Sequence, residues 1–138
     1  MSKAKILTTY SDGGARGNPG PAAIGVVVVD GKGSVVREFG RCIGEATNNQ
    51  AEYQALLAAL TVAGELGASE VNCRLDSELV VKQMRQEYRV KDAGLQPLFL
   101  QVWNQSQKFF KVNFTHVPRE QNTRADALLN QALDQAGT

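Results

Sequence analysis

Four acidic residues stand where a surface acid would be unusual. Asp12 closes the apolar run that begins at Ile6 and is followed by the glycine-rich stretch Gly13–Gly20. Glu52 lies in the first turn of a helical pattern, and steps of four, seven and eleven from it reach Leu56, Ala59 and Ala63, so it shares the buried stripe. Asp76 follows the alternation Val71, Cys73, Leu75 at the point where a helix begins. Asp126 flanks the stripe Ala125, Leu128, Leu129, Ala132, Leu133 in the first turn of the last helix. Each has an ordinary structural role open to it. Asp12 can open a turn, Asn49 and Glu52 can form a capping box, Asp76 can cap a helix, and Thr123 with Asp126 can form a second box. Taken together, four carboxylates at one end of a sheet would repel, by about 4 kcal/mol per pair at about 4 Å and an effective dielectric near 20. A divalent cation relieves that repulsion, and all-oxygen ligands of high charge suit Mg2+ or Mn2+ rather than zinc.

The glycines after Asp12 raise a competing possibility, a phosphate-binding loop. The dinucleotide pattern GxGxxG must link a strand to a helix. Gly13, Gly14, Gly17 and Gly20 do not fit that spacing, no GK[ST] follows, and the next element reads as a strand. The glycines therefore serve a tight chain reversal and the close approach of something bulky to the backbone.

Positioning the acids needs particular elements. Residues 4–12, 22–30 and 34–43 read as strands joined by short connections, the second strongly β-branched and the turn 30–33 being Asp-Gly-Lys-Gly. Alternation puts Asp12 on the face of Ile6, Thr8 and Tyr10, read here as the core face. A helix is expected from about 48 to 66, a strand over 68–76, a helix over 77–88, a helix over 95–108, a strand over 110–117 and a final helix over 122–136. The order β-β-β-α-β-α-α-β-α predicts an α/β fold: a five-stranded mixed sheet of three antiparallel strands, then two strands reached through helices, with helices on both faces. Placing the first and fourth strands side by side at its centre brings the acids together.

A chain of 138 residues, 43% apolar and 21% charged, is expected to form one domain over 1–138. A net charge of +1 selects no partner, but Lys82, Arg85, Arg89 and Lys91 cluster against the single acid Glu87. Cys42 and Cys73 lack CxxC spacing and are expected as reduced thiols in a cytoplasmic protein. No leader pattern is read at the N-terminus, and the longest apolar run, IGVVVV, is far too short to span a membrane. A monomer with no obligate protein partner is expected.

The segments "YSDGGARGNPGPAAIGVV", "ATNNQAEYQALLAAL", "VNCRLDSELVVKQM" and "HVPREQNTRADALLNQAL", in this order and over nearly the whole chain, resemble type 1 ribonuclease H. The resemblance implies a metal-dependent endonuclease that cuts the RNA strand of an RNA–DNA hybrid. It implies catalytic and metal-binding roles for Asp12, Glu52, Asp76 and Asp126 around two ions, with Asp12 bridging them, and 5′-phosphate and 3′-hydroxyl products. It implies that Asn18, Asn48 and Asn49 read the groove of the hybrid and that Thr47 grips a DNA phosphate. For the asparagines, helix capping is the ordinary alternative. His116, ten residues before Asp126, stands where many members carry a catalytic histidine, and Arg119 competes for that place. The chain lacks the extra helix, basic protrusion and tryptophan platform of the better-known bacterial members. Tyr88, Arg89 and Lys91 are expected to contact the DNA strand instead, with weaker, salt-sensitive binding. Two other readings stay open on sequence: a non-catalytic nucleic-acid-binding module on this fold, and a 3′ exonuclease of the wider superfamily.

Overall fold

The computed structural model describes residues 4–137. Three strands come first: β1 (Ile6–Ala15), β2 (Gly20–Val29) and β3 (Val35–Ala46). Then follow α1 (Asn48–Glu65), β4 (Glu70–Leu75), α2 (Glu78–Met84), α3 (Gln96–Ser106), β5 (Lys111–His116), a short 3-10 turn at Arg119–Gln121 and α4 (Thr123–Gln135). The sheet runs β3-β2-β1-β4-β5, with β1, β2 and β3 antiparallel and β4 and β5 parallel to β1. This is the expected mixed sheet, with β1 beside β4 at its centre.

Helix α1 packs on β1 and β2 with α3 against its outer side, while α4 lies across β2, β3 and β1 on the opposite face. Covered on both faces, β2 buries nearly every side chain, which is why its sequence is a continuous β-branched run rather than an alternation. The main core lies between the sheet and α1, built from Leu7, Ile24, Val26 and Val28 against Leu56, Ala59, Leu60 and Ala63.

Several local features differ from the sequence expectation. Strand β1 continues through Ala15, so Gly13 and Gly14 are strand residues and not part of a loop. Leu7, Thr9 and Ser11 form the deep face of β1, whereas Ile6 on Asp12's face is 43% exposed and Tyr10 packs under α4. Asp12 therefore lies on the α4 side of the sheet. Helix α2 ends at Met84 and not near Tyr88, because Gln86 takes a φ of 63° and the chain turns there. The caps are also displaced. Thr47 and Gln50, not Asn49 and Glu52, form the reciprocal box on α1, and Ser77, not Asp76, caps α2.

Helices α1 and α2 are locked by one buried polar contact, the Tyr53 hydroxyl donating to Gln83 Oε1 at 2.5 Å. Both residues are buried. Tyr53→Phe leaves that carbonyl without a donor in an apolar setting. The expected cost is about 1–3 kcal/mol, read as a lowered denaturant midpoint with an unchanged m-value.

Candidate active site

Two glycines let the helices reach Asp12. A Cβ on Gly13 would lie 2.2 Å from the carbonyl carbon and oxygen of Ala51, so only glycine lets α1 settle here. That contact sets Glu52 beside β1, where the Gly13 N–H donates to its carboxylate. On the other face, Gly25 pairs with Asp12 across the ladder, and a Cβ on it would lie 1.9 Å from the Ala125 carbonyl oxygen. This approach carries Asp126 to Asp12. Strand β4 pairs with β1 only as far as Ser11 and Leu75. Beyond that point Asp12 has a strand neighbour on one side only, and the chain leaving β4 supplies Asp76 to the gap.

All four acids line one cavity of about 480 Å³. Asp12, Glu52 and Asp76 each offer an oxygen within 4.8 Å of the others. Asp126 is exposed at the rim and interacts with the Asp12 carboxylate. Burial first, then the charges of Asp76 and Asp126, push the Asp12 carboxyl up to about 7. Burial and the neighbouring Asp12 raise Glu52 well above its usual range. One Glu52 oxygen, Oε2, is sealed from solvent with no hydrogen-bond partner among the described residues. An orphaned carboxylate oxygen among converging acids fits a cation, and three hard oxygen donors fit Mg2+ or Mn2+. Protons alone satisfy this group only at the expense of its charge.

Around the acids, Asn48, Asn49 and Arg119 also line the cavity. His116 is exposed at the end of β5, within electrostatic reach of Glu78, and is not among the lining residues. The helix-capping alternative is realised for part of the polar set. Asn18 Oδ1 accepts from the Asn48 N–H at 3.0 Å, Asn48 Oδ1 accepts from the Ala15 N–H at 2.9 Å, and the Thr47 hydroxyl accepts from the Gln50 N–H at 3.1 Å. Tyr88, Arg89 and Lys91 lie apart from the acids on the exposed segment after α2, with the Lys82 ammonium 5.0 Å from the Tyr88 ring centroid.

Some positioning groups were not singled out from sequence. Asn122 is buried and donates through Nδ2 to the Ser11 carbonyl at 2.9 Å, tying the start of α4 to β1 one residue before Asp12. Arg16 pairs with Asp134 at 2.7 Å and approaches Asn130 Oδ1 at 3.3 Å, joining the β1–β2 turn to α4. A glycine inside the run AAIGVVVV was the one available sign of close helix approach, and it does not say which helix.

Comparison with known proteins adds four observations. A family profile described as reverse transcriptase-like matches residues 10–132. A ribonuclease HI of Halobacterium salinarum is 49% identical over 127 residues, covering 92% of this chain, and the chain spans 64% of that relative's length. Among solved structures, the RNase H1 of Halobacterium salinarum superposes with a TM-score of 0.92 at 47% identity, covering 94% of this chain and 98% of that one. LC11-RNase H1 in complex with an RNA/DNA hybrid gives 0.91 at 45% identity, covering 96% and 99%.

Proposed function

The chain belongs to the type 1 ribonuclease H family, and on that premise we propose that it is an endonuclease hydrolysing the RNA strand of RNA–DNA hybrids. It acts as a single, monomeric catalytic domain in the cytoplasm and leaves 5′-phosphate and 3′-hydroxyl ends. The observation that carries this reading is the convergence of four carboxylates in one cavity, with Asp12 pushed up to about 7 and a Glu52 oxygen left orphaned. The LC11 neighbour, crystallised with an RNA/DNA hybrid, supports the substrate.

Asp12, Glu52, Asp76 and Asp126 would hold two Mg2+ or Mn2+ ions, Asp12 serving both. Such a pair, when bound, supplies Lewis-acid stabilisation to the attacking and leaving oxygens of an in-line displacement at phosphorus. The chain's own contribution is placement. Asp12, buried and backed by β2, is fixed by the sheet, whereas Asp126 stands at the rim, where water enters. Arg119 brings a permanent positive charge to the cavity wall, and His116, exposed at the end of β5 outside that lining, is retained as a proton carrier. Asn18, Asn48 and Asn49 read 2′-hydroxyls and base edges of the groove, which distinguishes an RNA strand from a DNA strand. Thr47 keeps its hydroxyl hydrogen for a DNA phosphate, since in the capping box the oxygen only accepts. Tyr88, Arg89 and Lys91 contact the DNA strand further along.

The test offers end-labelled single-stranded RNA, duplex DNA, duplex RNA and hybrid, each with Mg2+, Mn2+ or chelator. Internal cutting of the hybrid's RNA strand alone, lost in chelator, is expected. Retained cutting in chelator would defeat the metal assignment. Stepwise trimming from one end would identify an exonuclease, and binding without cutting would identify a module. Hybrid affinity is expected to fall steeply as salt rises, because phosphate contacts release condensed counterions.

A further inference from the structure

The two margins of the sheet are built differently. Strand β3 carries charges of both signs, Arg37, Glu38, Arg41 and Glu45, with Glu38 engaged by Arg124 and register shifts near each end of its pairing with β2. Such features protect an edge against another strand. Strand β5 ends the sheet on the other side. The N–H groups of Lys111 and Val117 bond back to Ser69 and Leu75. In a regular parallel ladder alternate residues face the neighbour. Asn113 and Thr115 therefore turn inward with them, while the backbone groups of Val112, Phe114 and His116 point to the open side. Among the described residues, no turn or loop backbone group pairs with those three.

A groove of about 730 Å³ runs along this open edge, walled by Arg85, Trp103 and Phe110 as well as by β5 itself. Among the described residues its charged lining residues are Arg85 and Lys111, and no acid lines it. Arg85 is shared with Glu87 at 3.0 Å, but among the described residues no carboxylate pairs with Lys111. Phe110, at the mouth, is 91% exposed. Alternating free backbone groups, a basic wall and an exposed aromatic side chain define the occupant. We infer that the β5 edge docks an extended acidic peptide segment of a partner protein, which adds to the sheet as a sixth strand.

The pairing follows known strand-addition physics: main-chain hydrogen bonds supply affinity and side-chain pockets supply specificity. A nucleic acid matches the cations but has no regular main-chain donors for the outward carbonyls. A second copy matches the edge but brings Arg85 and Lys111 from both chains into one groove. An acidic strand satisfies both the edge and the charge, and its apolar side chains cover Phe110.

The probe is a synthetic peptide alternating glutamate with valine, compared with its lysine counterpart, on the full chain labelled with nitrogen-15. The acidic peptide is expected to slow amide exchange at Val112, Phe114 and His116 by at least about tenfold and to shift the signals of Phe110 and Lys111. Lys111→Glu is expected to weaken binding by about tenfold or more, with the fold and hybrid cleavage unchanged. Absence of protection at those amides, equal protection by the lysine peptide, or protection by single-stranded DNA instead would overturn the assignment. So would a concentration-dependent dimer that Lys111→Glu abolishes.

Discussion

Replacing Asp12 by asparagine is expected to reduce hybrid cleavage by at least about 10³-fold while making the metal-free protein more stable at pH 8. The two effects share a cause. Asp12 is a buried member of a carboxylate cluster, so its charge is what a cation needs and what the metal-free fold resists. Its folded pKa, about 7, lies above the ordinary 3.8. Between those values the unfolded chain has lost the proton and the folded one keeps it, so metal-free stability declines as pH rises across that window. The full penalty is present above about 7 and absent below about 3.8. At about 1.4 kcal/mol per pH unit the penalty reaches about 4 kcal/mol as an upper figure. Asparagine cannot ionise, so its advantage should appear at pH 8 in chelator and vanish near pH 4. Added Mg2+ should stabilise the wild type and leave the variant almost unmoved. Melting curves at both pH values, with and without metal, read all of this. Undiminished turnover in the variant would remove Asp12 from the site.

Gly25→Ala is expected to be among the most damaging methyl-sized changes in the chain. Its Cβ would lie 1.9 Å from the Ala125 carbonyl oxygen and 3.1 Å from the Leu129 nitrogen, both main-chain atoms of α4 that no rotamer change can clear. Helix α4 must lift from the sheet. A loss of about 3 kcal/mol or more is expected, a fall in melting temperature of about 10 °C or more for a domain of this size. Because α4 carries Asp126, and Asn122 precedes it, the surviving folded fraction should also cleave at least about tenfold more slowly. Gly31→Ala provides the control: nothing lies within 4 Å of its added Cβ, and its effect should stay within about 0.5 kcal/mol. Equal stability of the two variants would show that α4 accommodates the methyl by sliding.

Element types were legible because their signals are local. The turn at Asp30–Ser34, the β-branched run of β2 and the apolar stripes of α1 and α4 each lie within one segment. The acids were legible as a set because Asp12 and Asp76 end apolar runs while Glu52 and Asp126 sit on or beside apolar stripes in first helical turns, places where an acid is conspicuous whatever its partners. What escaped depends on contacts between distant segments. Which face of β1 is deep follows from where α1 and α4 settle, and both follow from Gly13 and Gly25, whose missing side chains leave no periodic trace. The caps were displaced by one or two positions because Thr47, Asn48 and Asn49 are all competent capping residues and chain direction chooses among them. Asn122 gives no cap bond at all; its amide goes instead to Ser11. Composition could not distinguish a helix cap from a tie across the fold.

The linkage of Asn18, Asn48 and Ala15 fixes more than position. Both amide oxygens accept from backbone N–H groups, so each side chain is held in one flip state with its NH2 group as the donor end. Asn48, on the cavity wall beside the acids, therefore offers a hydrogen donor with its torsional freedom already spent. A polymer entering there meets a group that favours lone pairs, such as sugar oxygens and pyrimidine O2 or purine N3, and loses little affinity to ordering it.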